Sequence, residues 1–159
     1  MIKYVKEDTN IVFQELPNEV TLALNISNCC NNCIGCHSPY LRDNIGVELT
    51  PIEINKLIDN NYGITAICFM GEGNDKIALQ NIIKYINITY SNIKIGLYSG
   101  RNTIDDQFYW DYLDYIKIGP YIEKYGPLNN KKTNQIMYYK DKSDKTSKWV
   151  NITEKFWKK

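Results

Sequence analysis

"EVTLALNISNCCNNCIGCHSPY", residues 19–40, decides the fold. It opens as a strand and closes as a loop. That loop, "SNCCNNCIGCHSPY" (27–40), holds four of the five cysteines and the only histidine. A thiol patch placed where a strand ends is the layout of an α/β protein whose chemistry sits on the loops after its strands.

Working outward, "IVFQEL" (11–16) reads as a strand before 19–27, with a turn at Pro17-Asn18 between them. After the thiol loop, Thr50, Pro51 and Glu53 mark a helix start: an N-cap, a proline at the first helical position and a capping box. Ile54, Leu57 and Ile58 form its apolar face. "GITAICFMGEG" (63–73) is a buried strand entering a glycine turn. "KIALQNIIKYINITY" (76–90) carries Leu79, Ile82, Ile83 and Ile86 at helical spacing. "IKIGLYSGR" (93–101) is another strand into a turn, "DDQFYWDYLD" (105–114) a short aromatic helix, and "YIKIGPYI" (115–122) a further strand. "NQIMYY" and "KWVNIT" flank a polar run and read as a hairpin, and "EKFWKK" (154–159) as a short docked end.

Strand–helix alternation implies a parallel sheet. A full eight-unit barrel takes about 250 residues, so 159 residues build only part of one. The expected fold is therefore α/β: a partial β/α barrel with a parallel sheet and a C-terminal hairpin extension. One domain spans 1–159, its core about 19–122 and its extension about 123–159. The thiol loop, "MGEGND" (70–75), "YSGR" (98–101) and "GPY" (119–121) should then line one rim.

Net charge is +1, from 19 basic and 18 acidic residues, so nothing argues for nucleic acid or an anionic membrane as partner. The lysine-rich tail is broken by Asp141, Asp144 and Glu154 and reads as a solvated surface. "MIKYVKEDTN" is not a signal peptide, and no run approaches a membrane span. The expected location is the cytoplasm, where clustered thiols usually mean metal or catalysis rather than disulfides.

Cys29, Cys33 and Cys36 are spaced C-x3-C-x2-C. Three thiolates on one short loop can each hold a different iron of a 4Fe–4S cubane. Such clusters normally take four cysteines, so three leave one iron open to a ligand. Two other readings stay on the table. A ferredoxin-like register would use Cys30, Cys33 and Cys36, but Tyr40 stands where its next cysteine would fall. Zinc needs four ligands; Cys30, Cys33, Cys36 and His37 supply four, crowded into eight residues with no second C-x2-C arm. Cys68, in mid-strand, reads as a buried inert thiol. His37 is either part of a cofactor rim or a plain polar loop residue.

With these residues in view, the chain resembles the radical S-adenosylmethionine (SAM) superfamily, and within it the activating component of anaerobic (class III) ribonucleotide reductase. "NCCNNCIGCHSP" resembles the family's cysteine loop, including Gly35 before the third cysteine. "FMGEGND" stands where the family has Gly-Gly-acid, "LYSGR" resembles its Tyr-Thr/Ser-Gly turn, "IKIGPYI" its Val-Asp-Gly segment, and "TNQ" (133–135) its Ser-x-Asn-Gln segment. Here the acid is Glu72, between Gly71 and Gly73, with Asp75 a second candidate, and Ile118 replaces the Asp of Val-Asp-Gly.

The resemblance implies a 4Fe–4S cluster on Cys29, Cys33 and Cys36, with SAM bound at the open iron. Gly35, Cys36 and His37 would lie against the adenine. Gly71, Glu72 and Gly73 would receive the methionine moiety, and Ser99 and Gly100 the ribose. Asn134 and Gln135 would contribute weakly or only order the tail. The implied activity is reductive cleavage of SAM to a 5′-deoxyadenosyl radical, which removes hydrogen from a backbone glycine of the large reductase subunit. The implied partners are that subunit and an electron donor such as a flavodoxin. "KYGPL" (124–128) puts Pro127 after Gly126 and is no glycyl-radical loop, so the radical site belongs on the partner.

Overall fold

The computed structural model describes residues 1–30, 33, 35–36, 38–103, 111–142, 144, 146 and 148–157. The sheet is built on β3 (Thr21–Asn25), β5 (Ala66–Met70), β6 (Lys94–Tyr98) and β7 (Tyr115–Ile118), whose residues are buried almost without exception. Burial of both faces is the mark of central parallel strands. These four strands run parallel in that order. β2 (Asn10–Val12) joins antiparallel at one edge; β8 (Ile136–Tyr139) and then β9 (Val150–Asn151) join antiparallel at the other. The result is a seven-stranded, mixed sheet ordered β2-β3-β5-β6-β7-β8-β9. β1 (Lys3–Tyr4) and β4 (Val47–Glu48) form a separate antiparallel pair.

Two helices stand against one sheet face. α1 (Pro51–Asn60) is capped by the Thr50 hydroxyl, which accepts from the Glu53 amide at 3.2 Å. The other half of the expected capping box is diverted: the Glu53 carboxylate accepts from the buried Tyr4 hydroxyl at 2.6 Å. α2 (Lys76–Thr89) buries Leu79, Ile82, Ile83 and Ile86, the four residues of its stripe. They meet Leu22, Leu24, Ile67, Phe69, Ile95, Leu97 and Ile116. Each such side chain, fully buried, contributes about 1.5–3 kcal/mol of transfer free energy.

Among the described residues no α-helix covers the opposite face. Ala66, Cys68, Tyr115 and Met137 are covered there by Leu16, Leu128 and Ile152. Leu16 fits because Gly96 lacks a side chain; a Cβ there would come within 2.8 Å of a Leu16 methyl. This explains why the first expected strand stops early. The chain bends at 13–16 so that Leu16 turns fully into the sheet, and Phe13 is left exposed. A groove of about 830 Å³ remains on this face, lined among others by Phe13, Met70, Tyr98, Leu128, Gln135 and Trp157.

The expected hairpin forms as β8 and β9, but it is no appendage. β8 pairs with β7 over four residues and extends the central sheet. The expected helix over 105–114 lies largely outside the described residues, as does His37. No helix among the described residues is long and apolar enough to cross a membrane.

Candidate thiol and carboxylate site

The loops after β3, β5, β6 and β7 gather at one end of the sheet. The thiol loop is closed at its root. Ser27 is buried, its hydroxyl donating to the Ile45 carbonyl at 2.7 Å. The Asn28 amide donates to Asp43 O at 3.1 Å and the Cys29 amide to Leu41 O at 2.8 Å. The Cys36 amide donates to Cys33 O at 3.2 Å across a turn in which Gly35 has φ +78°. The Arg42 guanidinium donates to the same Cys33 carbonyl at 2.7 Å, and the Ser38 amide to Cys36 Sγ at 3.4 Å. Cys29, Cys33 and Cys36 are half-buried, Cys30 is exposed, Cys68 is buried, and none is in a disulfide. Burial pushes the Cys68 thiol strongly upward, as an inert core thiol requires.

Among the described residues no three His, Cys, Asp or Glu side chains converge on one metal ion. A single ion such as zinc demands that convergence. A cubane does not, since each thiolate goes to its own iron. The donor set is three thiols, with an N–H···S contact at Cys36. That chemistry fits an anionic iron–sulfur group.

The glycine turn after β5 packs against the root of the thiol loop. Gly73 has φ +64°, and a Cβ there would lie 3.0 Å from Ile26 Cγ2 and 3.3 Å from Ser27 O. Cys30 Sγ lies 3.7 Å from Gly73 O. Gly71 has φ +115°, and its amide donates to Tyr98 O at 3.0 Å. Between the glycines, Glu72 is clamped. Arg101 grips it with two nitrogens, Nε to Oε2 at 3.1 Å and Nη2 to Oε1 at 3.0 Å, and Ser99 Oγ donates to Oε2 at 2.6 Å. Such a bidentate, charge-assisted pair is among the stronger hydrogen-bonded contacts. Ser99 has no exposed surface, and its oxygen also accepts from the Arg101 amide at 3.1 Å.

Asp75, the second acid considered, caps α2 by accepting from the Ala78 amide at 3.1 Å and also holds the Met1 amine. Both contacts pull its carboxyl below the usual range, the amine first. Glu72 is therefore the acid that faces the thiols. A cavity of about 380 Å³ opens beside it, lined by Cys29, Cys30, Glu72, Gly73, Lys76 and Arg101, among others.

Asn134 and Gln135 reach the same rim from the loop just before β8: Asn134 Nδ2 donates to Pro120 O at 3.0 Å and Gln135 Nε2 to Gly119 O at 3.4 Å. Their visible work is to order the end of β7.

Two residues escaped the sequence reading. Arg101 was visible only as the last letter of a strand-end turn. Lys117 was a lone charge inside an apolar strand. It is only 8% exposed, and its ammonium donates to Gly119 O at 3.2 Å and lies 5.5 Å from the centre of the Tyr98 ring. Comparison with protein-family models, curated proteins and solved structures returns no match for this chain.

Proposed function

We propose that this protein is a radical SAM activase that generates a glycyl radical on the large subunit of an anaerobic ribonucleotide reductase. The observation that carries this reading is the meeting of the C-x3-C-x2-C loop with the glycine turn after β5, where Cys30 Sγ approaches Gly73 O at 3.7 Å. The parallel strands would then be the core of an incomplete radical SAM barrel. When bound, a 4Fe–4S cluster supplies the one-electron reduction that cleaves the SAM sulfonium.

The chain's own residues have distinct tasks in this reading. Cys29, Cys33 and Cys36 hold the cluster, and the closed root of their loop keeps them together without it. Gly71 and Gly73 let the backbone approach the methionine moiety closely. Glu72 retains lone pairs for the substrate ammonium after serving Arg101 and Ser99. Arg101, held in place by that clamp, presents positive charge to the substrate carboxylate. Ser99 is buried beneath Glu72 and acts by orienting it.

Among the described residues the sheet does not close on itself: its order ends at β2 and β9. The groove of about 830 Å³ on the face opposite α1 and α2 reaches Met70 and Tyr98 at the carboxyl ends of β5 and β6, and is where a peptide loop of the partner would lie. That suits a protein substrate better than a small molecule, which would need walls or a lid. A small flavodoxin-like donor would deliver the electron.

The test is electron paramagnetic resonance on anaerobically reconstituted, reduced protein with and without SAM. A 4Fe–4S signal that changes on adding SAM supports the reading. Stoichiometric zinc with no cluster signal would return the loop to a structural role.

A further inference from the structure

We propose that Lys117 is a positioning residue for the thiol loop: its buried ammonium is the counter-charge to the metal-bound thiolates of Cys29, Cys33 and Cys36, and it sets the reduction potential of the group they carry. This rests on the function proposed above.

The argument starts from an imbalance of charge. Lys117 sits on the face of β7 opposite α1 and α2 at 8% exposure, where a lysine is seldom found without a carboxylate. Among the described residues no carboxylate lies within ion-pair distance of it; its polar contacts are the Gly119 carbonyl and the Tyr98 ring. The other interior charges are matched: Glu72 has Arg101, Asp114 has Lys142 at 3.1 Å, and Glu19 has Lys94 at 3.1 Å. Lys117 alone of these has only a dipole and a π face.

The placement says where its counter-charge is. Lys117 lies two residues before Gly119, where the chain leaves the sheet toward the thiol loop. A Cβ on Gly35 would stand 3.4 Å from Tyr121 Cε1 and 3.4 Å from Glu123 Oε2, so the segment after β7 packs directly against the turn between Cys33 and Cys36. Burial pushes the Lys117 ammonium down to about 8, and the groups whose negative charge opposes this are Cys33, Cys68, Cys29 and Cys36. Cys68 stays protonated in its apolar setting, and Glu123 is exposed and not within ion-pair distance of Lys117, so the loop thiols are the anions that remain. A metal-bound thiol is deprotonated outright. Loading the loop therefore supplies the missing negative charge. Adding an electron there deepens that charge, and a fixed cation nearby favours the reduced state.

The experiment is a mediated potentiometric titration, followed by electron paramagnetic resonance, of anaerobically reconstituted wild type, Lys117→Met and Lys117→Arg. Thermal unfolding of each variant before reconstitution confirms that it is folded. The expected result is a lower potential in Lys117→Met, on the order of tenfold in the reduction equilibrium, or about 59 mV, with Lys117→Arg restoring most of it. An unchanged potential in a cluster-bearing Lys117→Met protein overturns this inference and leaves the proposed function standing. A wild-type protein that takes up no iron overturns both.

Discussion

Replacing Lys117 by Met should make the metal-free protein more stable, although it removes a hydrogen bond. The ammonium is buried with no carboxylate within ion-pair distance among the described residues, and burial lowers its proton affinity from the ordinary 10.5 to about 8. Each tenfold in proton affinity is worth about 1.4 kcal/mol, so holding the charged form in the fold costs about 3 kcal/mol. Losing the bond to Gly119 O returns about 1 kcal/mol of that, and methionine fills similar volume. The net expectation at pH 7 is a gain of about 2 kcal/mol for Lys117→Met. The sign with pH follows from linkage. Below about 8 the lysine is charged in both states and the full cost is present. Between about 8 and 10.5 the unfolded chain binds the extra proton, so the wild type gains stability as pH rises. The variant lacks this term, and its advantage should shrink through that window. Urea denaturation of metal-free protein at pH 7, 8 and 9.5 reads the difference directly. A variant less stable than wild type at pH 7, or a gap that stays constant to pH 9.5, would refute the reasoning.

Other outcomes are equally definite. Ser substitutions at Cys29, Cys33 and Cys36 should each abolish retention of iron after desalting, while Cys30→Ser and Cys68→Ser keep it, read by iron and sulfide analysis. Gly73→Ala should cost about 1–2 kcal/mol, because an L side chain at φ +64° is strained and its Cβ would press on Ile26 at 3.0 Å; urea midpoints measure it. Arg101→Met and Glu72→Gln should couple by about 1–3 kcal/mol in a double-mutant cycle, since each removes the other's main partner. Ile83→Ala should cost about 2–5 kcal/mol by the same assay, as the side chain is fully buried between α2 and the sheet.

Sequence alone determined what depends on neighbouring residues. Leu79, Ile82, Ile83 and Ile86 share a helix face because 3.6 residues make a turn, and all four are buried. Thr50 and Pro51 start α1 because a hydroxyl and a missing amide suit a helix N-terminus. Four buried strand segments, and thiol and glycine loops at their ends, were legible for the same local reason. Tertiary structure decided what depends on residues tens of positions apart. β8 completes the sheet by pairing with β7, which no local pattern announces. β2 ends at Val12 because Leu16 finds a space that Gly96 leaves open, about 80 positions along the chain. Of the acid read from the sequence, Glu72, and its second candidate, Asp75, the latter is taken by a helix end and the N-terminal amine, while Glu72 is held at the rim by Arg101. Lys117 looked like a stray charge in an apolar strand. Only the tertiary packing shows that it is buried with no carboxylate within ion-pair distance among the described residues, at the end of the strand whose following segment packs on the thiol loop, because the energy of a charge is fixed by what surrounds it in space.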